Sequence, residues 1–205
     1  MKTRIWYLFP IAAALFTLSC SQENSQKDAA GQAVSTPVGA PVAVAAEMSG
    51  NESISAEPNE NGWYTSWDAG LAAAKTQGRP IIVDFYTDWC QWCKVMDEKT
   101  FSDPSIRKKF ADGWVMIKIN AENEKAKGIF RGTTLTYREL AIRFGINAYP
   151  SYGFIDKEGN PVKIVPGYYE VPQFTMMLDF FLQEIYKLSE SEQKKFMATY
   201  TAGAS

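Results

Sequence analysis

Two of the chain's three cysteines stand three residues apart, in Asp88-Trp89-Cys90-Gln91-Trp92-Cys93-Lys94, and the chain has no histidine. On a helix this spacing puts both thiols on one face, with α-carbons about 5 to 6 Å apart, inside the range a disulfide accepts. The pair can then close and open with little backbone movement. With Cys90 at the helix N-terminus, unpaired backbone N–H groups and the positive end of the dipole favour its thiolate; thiols so placed ionise with pKa values of roughly 3.5 to 7.5. Cys93, one turn further in, is shielded and less ionised. The expected chemistry is thiol–disulfide exchange, in which Cys90 attacks a partner disulfide and Cys93 resolves the mixed disulfide. The same steps run backwards oxidise a dithiol, and the residues alone leave the direction open.

Other uses of two cysteines are weaker. A disulfide closing so small a loop stabilises little through loop-closure entropy. A zinc site normally takes four ligands, and there is neither a second cysteine pair nor a histidine to complete one. Covalent haem attachment needs a histidine after the second cysteine, where this chain has Lys94. A soft ion such as Cu(I) could be held by two thiolates, so a non-enzymatic Cu(I) carrier, or a docking module, remains the alternative function.

The elements around the pair must hold it at a strand-to-helix junction. Ile81 to Tyr86 is a short β-branched and aromatic run, the pattern of a buried central strand, and the cysteines follow at once. Upstream, Thr65-Ser66-Trp67-Asp68 opens a helix through Lys75 that Gly78-Arg79-Pro80 stops. Downstream, a helix runs from the pair toward Lys99, and Asp103-Pro104 is an N-cap and first residue of another. Trp114 to Ile119 reads as the next strand, whereas the polar stretch from Asn120 to Thr134 fits no element. Thr136 to Glu139 is a capping box, and Tyr137, Leu140, Ala141 and Phe144 form one helical face stopped by Gly145. Strands at Ser151 to Ile155 and Val162 to Val165 flank a turn, and Phe174, Met177, Leu178 and Phe181 repeat the helical spacing after Pro172. Ser189 to Glu192 caps a last short helix. A β-α-β half followed by a β-β-α half predicts an α/β fold, a central mixed sheet flanked by helices.

Outside that domain, placed at residues 62–188, the chain changes character. Lys2 and Arg4 precede an apolar run from Ile5 to Leu18, shorter than the roughly 20 residues of a spanning helix, and Ser19-Cys20 follows. Residues 1–19 thus read as an export signal. Thr17-Leu18-Ser19-Cys20 resembles a bacterial lipoprotein signal, which implies lipidation of Cys20 and a protein anchored in the cell envelope; an ordinary secretory signal is the alternative. Residues 20–61 are rich in Ala, Ser, Gln, Glu, Pro and Gly and read as a flexible tether. Residues 189–205 form a C-terminal helix and tail. A formal net charge of -2 over 205 residues gives no sign of nucleic-acid binding.

Val83-Asp84-Phe85-Tyr86-Thr87-Asp88-Trp89-Cys90-Gln91-Trp92-Cys93-Lys94 resembles the active-site strand and helix of thioredoxin-fold proteins, and Asn147-Ala148-Tyr149-Pro150-Ser151-Tyr152-Gly153-Phe154 resembles their cis-proline loop. Phe101-Ser102-Asp103-Pro104 is similar to the envelope branch that includes the C-terminal domain of the transmembrane disulfide reductase. The resemblance implies a thiol:disulfide oxidoreductase that reduces partner protein disulfides in the envelope or periplasm. It draws on a membrane or soluble electron donor and needs no metal and no cofactor beyond the Cys90–Cys93 disulfide. It further implies that Pro150, preceded by Tyr149, binds substrate beside the pair, with Trp89 and Trp92 at the rim. Asp84 matches the family's buried acid, whose raised pKa would let it accept the Cys93 proton. Gln91-Trp92 departs from the dipeptides of thioredoxin and of the strong oxidants, so the redox potential is unassigned.

Overall fold

A computed structural model describes residues 54–202. The N-terminal apolar run, Cys20 and the first part of the expected tether lie outside the described residues. From Ser55 on the backbone already engages the domain: the Ser55 N–H donates to Thr65 Oγ1, and Asn59 Oδ1 accepts from the Trp63 N–H.

The sheet has five strands: β1 (Trp63–Tyr64), β2 (Ile81–Tyr86), β3 (Val115–Asn120), β6 (Ser151–Ile155) and β7 (Pro161–Pro166), in the order β1-β3-β2-β6-β7. β3 pairs parallel with β1 and β2, whereas β6 and β7 are antiparallel. β2 is therefore central and almost wholly buried, as its apolar run requires. Its side chains alternate between two cores. Ile81, Val83 and Phe85 join Trp67, Ile117, Ile119 and Leu140 under α1 (Trp67–Gln77) and α4 (Tyr137–Arg143). Ile82 joins Met96, Ile106, Tyr152 and Phe174 under α2 (Gln91–Met96), α3 (Pro104–Gly113) and α5 (Val171–Leu182). By the period of two along a strand, Asp84 faces the second core, beneath the helix that carries the cysteines.

Local chemistry fixes the helix ends as expected. Ser66 caps α1 by accepting from the Ala69 N–H, and Gly78 ends it at φ 62°, a conformation glycine adopts without strain. Asp103 caps α3 with Pro104 in its first turn, and Thr136 and Glu139 form a reciprocal capping box on α4. A final helix, α6 (Glu190–Ala202), packs on α5, with Phe196 against Phe180.

Three features depart from the expectation, the first being the short strand β1, which was not foreseen. The helix expected to run from the pair toward Lys99 instead widens after Met96 into a π turn, Asp97–Phe101. That turn buries Phe101 and lets Thr100 Oγ1 donate to the Tyr169 carbonyl at 2.7 Å. The stretch read as irregular holds a hairpin of β4 (Lys127–Phe130) and β5 (Thr133–Thr136). Its tight turn is Arg131-Gly132, both at positive φ, which matches the twist of a two-residue hairpin loop. The hairpin clasps α1: the Trp67 indole donates to the Ile129 carbonyl at 3.0 Å, and Asp68 Oδ1 accepts from the Ile129 N–H at 2.8 Å.

Gly128 makes that clasp possible, because a Cβ there would lie 2.6 Å from Trp67 Cδ1 and 2.8 Å from Trp67 Cβ. Trp67 is fully buried and has no room to yield. Gly128→Ala is therefore expected to lower the unfolding free energy by about 1 to 3 kcal/mol, the usual cost of overpacking. A urea midpoint unchanged from wild type would show that the hairpin shifts freely.

Candidate active site

β2 ends at Tyr86, and the loop Thr87-Asp88-Trp89 delivers Cys90 to the N-cap of α2. Cys90 and Cys93 are joined in a disulfide with α-carbons 5.3 Å apart. Cys90 Sγ accepts from the Cys93 backbone N–H at 3.0 Å, so this sulfur sits where a capping oxygen normally would. Both cysteines are buried, at 4% exposure each, so a partner must approach through what surrounds them.

The surround is aromatic. Trp89 and Trp92 are 62% and 59% exposed, unusual for the largest apolar side chains. Trp89 meets Tyr149 edge to face, with ring centroids 5.7 Å apart, and this contact brings the 147–150 loop beside the pair. Pro150 is buried and its peptide bond to Tyr149 is cis. The Pro150 carbonyl accepts from the Gly167 N–H at 2.8 Å, tying the loop to the end of β7. Just beyond, Tyr168 packs on Trp92 at 5.4 Å. The predicted residues Trp89, Trp92, Tyr149 and Pro150 are thus gathered with the disulfide; Cys20 lies outside the described residues.

Beneath the pair lies a charge cluster. Asp84 is 2% exposed, and Lys118 Nζ is 3.2 Å from its Oδ2. Lys118 also donates to both oxygens of Asp97 at 2.6 and 2.8 Å. The ammonium lies 5.1 Å from the Tyr86 ring centroid and 5.7 Å from that of Trp63, so aromatic faces supply the rest of its surround. Burial raises the Asp84 pKa to about 6, against the pull of Lys118 and with a further push from Asp97. Burial works to lower the Lys118 pKa, but the two carboxylates outweigh it and hold the group above its ordinary value. Tyr152, the cross-strand neighbour of Asp84, is buried too, and its hydroxyl has no hydrogen-bond partner among the described residues.

Lys118 and Asp97 are functional candidates that sequence reasoning missed. One signal was available: a lysine in the otherwise apolar run Val115-Met116-Ile117-Lys118-Ile119 has to be paired if the strand is buried. Asp97 gave none, because only the π turn brings it to the lysine.

The family profile of the thioredoxin-like domain matches residues 67–182, more than half of the chain. The chain belongs to the thioredoxin-like domain family. A relative from Ralstonia nicotianae, the thiol:disulfide interchange protein DsbD, is 35% identical over 100 residues, which are 48% of this chain and 15% of that protein. The protein of the same name from Cronobacter sakazakii is 29% identical over 113 residues, 54% of this chain and 18% of that one. The thioredoxin-like domain here therefore spans less than a fifth of the length of these relatives. A thioredoxin-fold protein from Helicobacter pylori shares the fold, with a TM-score of 0.52 at 15% identity over 72% of this chain and 91% of that one.

Proposed function

We propose that this thioredoxin-like domain exchanges disulfides with proteins of the cell envelope, chiefly reducing them, with Cys90 attacking and Cys93 resolving. One observation carries the reading: a Cys90–Cys93 disulfide capping α2, on the sheet face that also buries Asp84. The first turn of that helix favours negative charge on the Cys90 sulfur. Its thiolate attacks one sulfur of the partner disulfide, forming a mixed disulfide and expelling the partner's other sulfur as a thiolate. The Cys93 thiol then loses its proton to Asp84 and attacks Cys90 Sγ. The partner leaves with two electrons and the pair closes. A dithiol electron donor, membrane-bound or soluble, must reopen it. With a pKa of about 6, Asp84 can exchange that proton near neutrality.

Disulfide exchange is supported by the likeness to proteins named for thiol:disulfide interchange, the reductive direction only by the resemblance of Phe101-Ser102-Asp103-Pro104 to the reductase branch, and the envelope address by the signal-like N-terminus ending at Cys20. Among the described residues no helix is long and apolar enough to cross a membrane; a lipid on Cys20 would supply the attachment. The test is turnover. With dithiothreitol as electron source, catalytic amounts of the full chain should accelerate insulin reduction well above the dithiothreitol background. A rate equal to background would refute the proposal.

A further inference from the structure

Of the two exposed indoles at the rim, Trp92 rests tilted on Tyr168, whereas Trp89 is tied: its Nε1–H donates to Glu122 Oε2 at 3.0 Å. Glu122 lies in the segment after β3 that leads into the hairpin, and the segment is stiffened by its own side chains. Asn120 Oδ1 accepts from the Glu122 N–H at 3.0 Å, and Asn123 Oδ1 accepts from the N–H groups of Lys125 and Ala126 at 2.9 and 2.8 Å. Asn120 Nδ2 also donates to Asp88 Oδ1 at 3.1 Å, so the same segment grips the active-site loop a second time. The Asn123 carbonyl accepts from the Arg138 N–H at the start of α4, which fixes the far end. An exposed tryptophan with a free indole would sample several rotamers. This one has its N–H anchored to a braced carboxylate and its ring set edge to face against Tyr149.

We propose that Glu122 is a positioning residue: by accepting the Trp89 indole N–H it holds Trp89 and Tyr149 as a fixed wall beside the disulfide, which favours extended polypeptide disulfides over small ones. The inference rests on the exchange chemistry proposed above and adds to it a discrimination between substrate classes. A polypeptide must lay backbone and neighbouring side chains along the rim, and a preset wall spares the entropy of ordering it in each encounter. A small disulfide has little backbone to lay along the rim and so depends less on the wall. Glu122 is exposed, its carboxylate accepts from Trp89 and its charge also acts on Tyr149, so its effect reaches the pair through these two rim residues.

The experiment uses the full chain, reduced beforehand and freed of reductant, in single turnovers with insulin and with oxidised glutathione. Glu122→Ala should slow the reaction with insulin about three- to tenfold and leave that with glutathione within twofold, the scale expected when one charged hydrogen bond positioning a contact residue is lost. Glu122→Gln retains a carbonyl acceptor for the indole and should restore most of the insulin rate. Trp89→Phe, which keeps a ring but has no N–H, should match Glu122→Ala, and the double variant should be no slower than either single one. Equal losses on both substrates, an insulin rate unchanged in Glu122→Ala, or additive losses in the double variant would each overturn the inference while leaving the exchange reading intact. A wild-type chain that reacts with neither disulfide would sink the exchange reading itself, and this inference with it.

Discussion

Cys90→Ser is expected to abolish disulfide exchange, and Cys93→Ser to stop it halfway. The two sulfurs are close enough to bond, yet their settings differ: Cys90 caps the helix and Cys93 lies inside its first turn. A serine hydroxyl at position 90 stays protonated near neutrality and cannot attack sulfur, so the rate should fall on the order of a thousandfold or more, as when other enzymes lose a nucleophile. In Cys93→Ser the attack on the partner survives and the resolving step does not. The mixed disulfide should then accumulate as a covalent adduct on Cys90, seen as an added mass on non-reducing gels and released by dithiothreitol. In cells the same variant would hold its physiological partners for identification. Rapid turnover by either variant, or an adduct that forms on Cys93 when Cys90 is absent as readily as the reverse, would remove the assigned roles.

The second large effect concerns stability rather than rate. Asp84 has a pKa of about 6 in the folded chain against 3.8 for an unperturbed aspartate. Between those values the native state holds a proton that the unfolded state has released, so stability falls as pH rises through this window. The extra stability is complete below about pH 4 and gone above about pH 6, and its size is about 3 kcal/mol from the shift alone. Asp84→Asn should remove this dependence. Lys118 stays held by both oxygens of Asp97 when the partner at 84 becomes neutral, so the variant leaves no stranded ammonium. Urea unfolding of oxidised wild type and Asp84→Asn at pH 4 and pH 7 checks it. The variant should gain on wild type by about 2 to 3 kcal/mol between the two pH values. Any misfit of the amide is independent of pH and cancels in that comparison; a difference identical at both values would show that Asp84 does not titrate as described.

Much of this arrangement was legible in the residues because it is written in short-range rules. The run Ile81 to Tyr86, the cysteine spacing, the caps at Ser66, Asp103 and Thr136, and the loop before Pro150 each state their geometry locally. The hairpin was hidden because its strands are only four residues each and set Ile129 beside Phe130, so they show no clear apolar alternation, and its turn begins with Arg131 in place of the usual Asn or Asp. β1 was missed for a related reason: Trp63 and Tyr64 form a strand only because β3 pairs with them. The charge cluster depends on long-range register, with Lys118 directly opposite Asp84 across β2 and β3, and on the π turn that turns Asp97 toward it. Neither can be read from spacing along one segment.

The division of the interior by a single sheet carries an evolutionary consequence. The Trp67 side supports the hairpin clasp, and the Phe174 side encloses Asp84, Lys118 and the underside of α2. Among the described residues, Glu122 and Asp84 share no hydrogen-bond or ion-pair partner. Substitutions in the two regions should therefore combine additively, so that descendants of this chain can drift in which clients they accept while the acid–base apparatus below stays untouched.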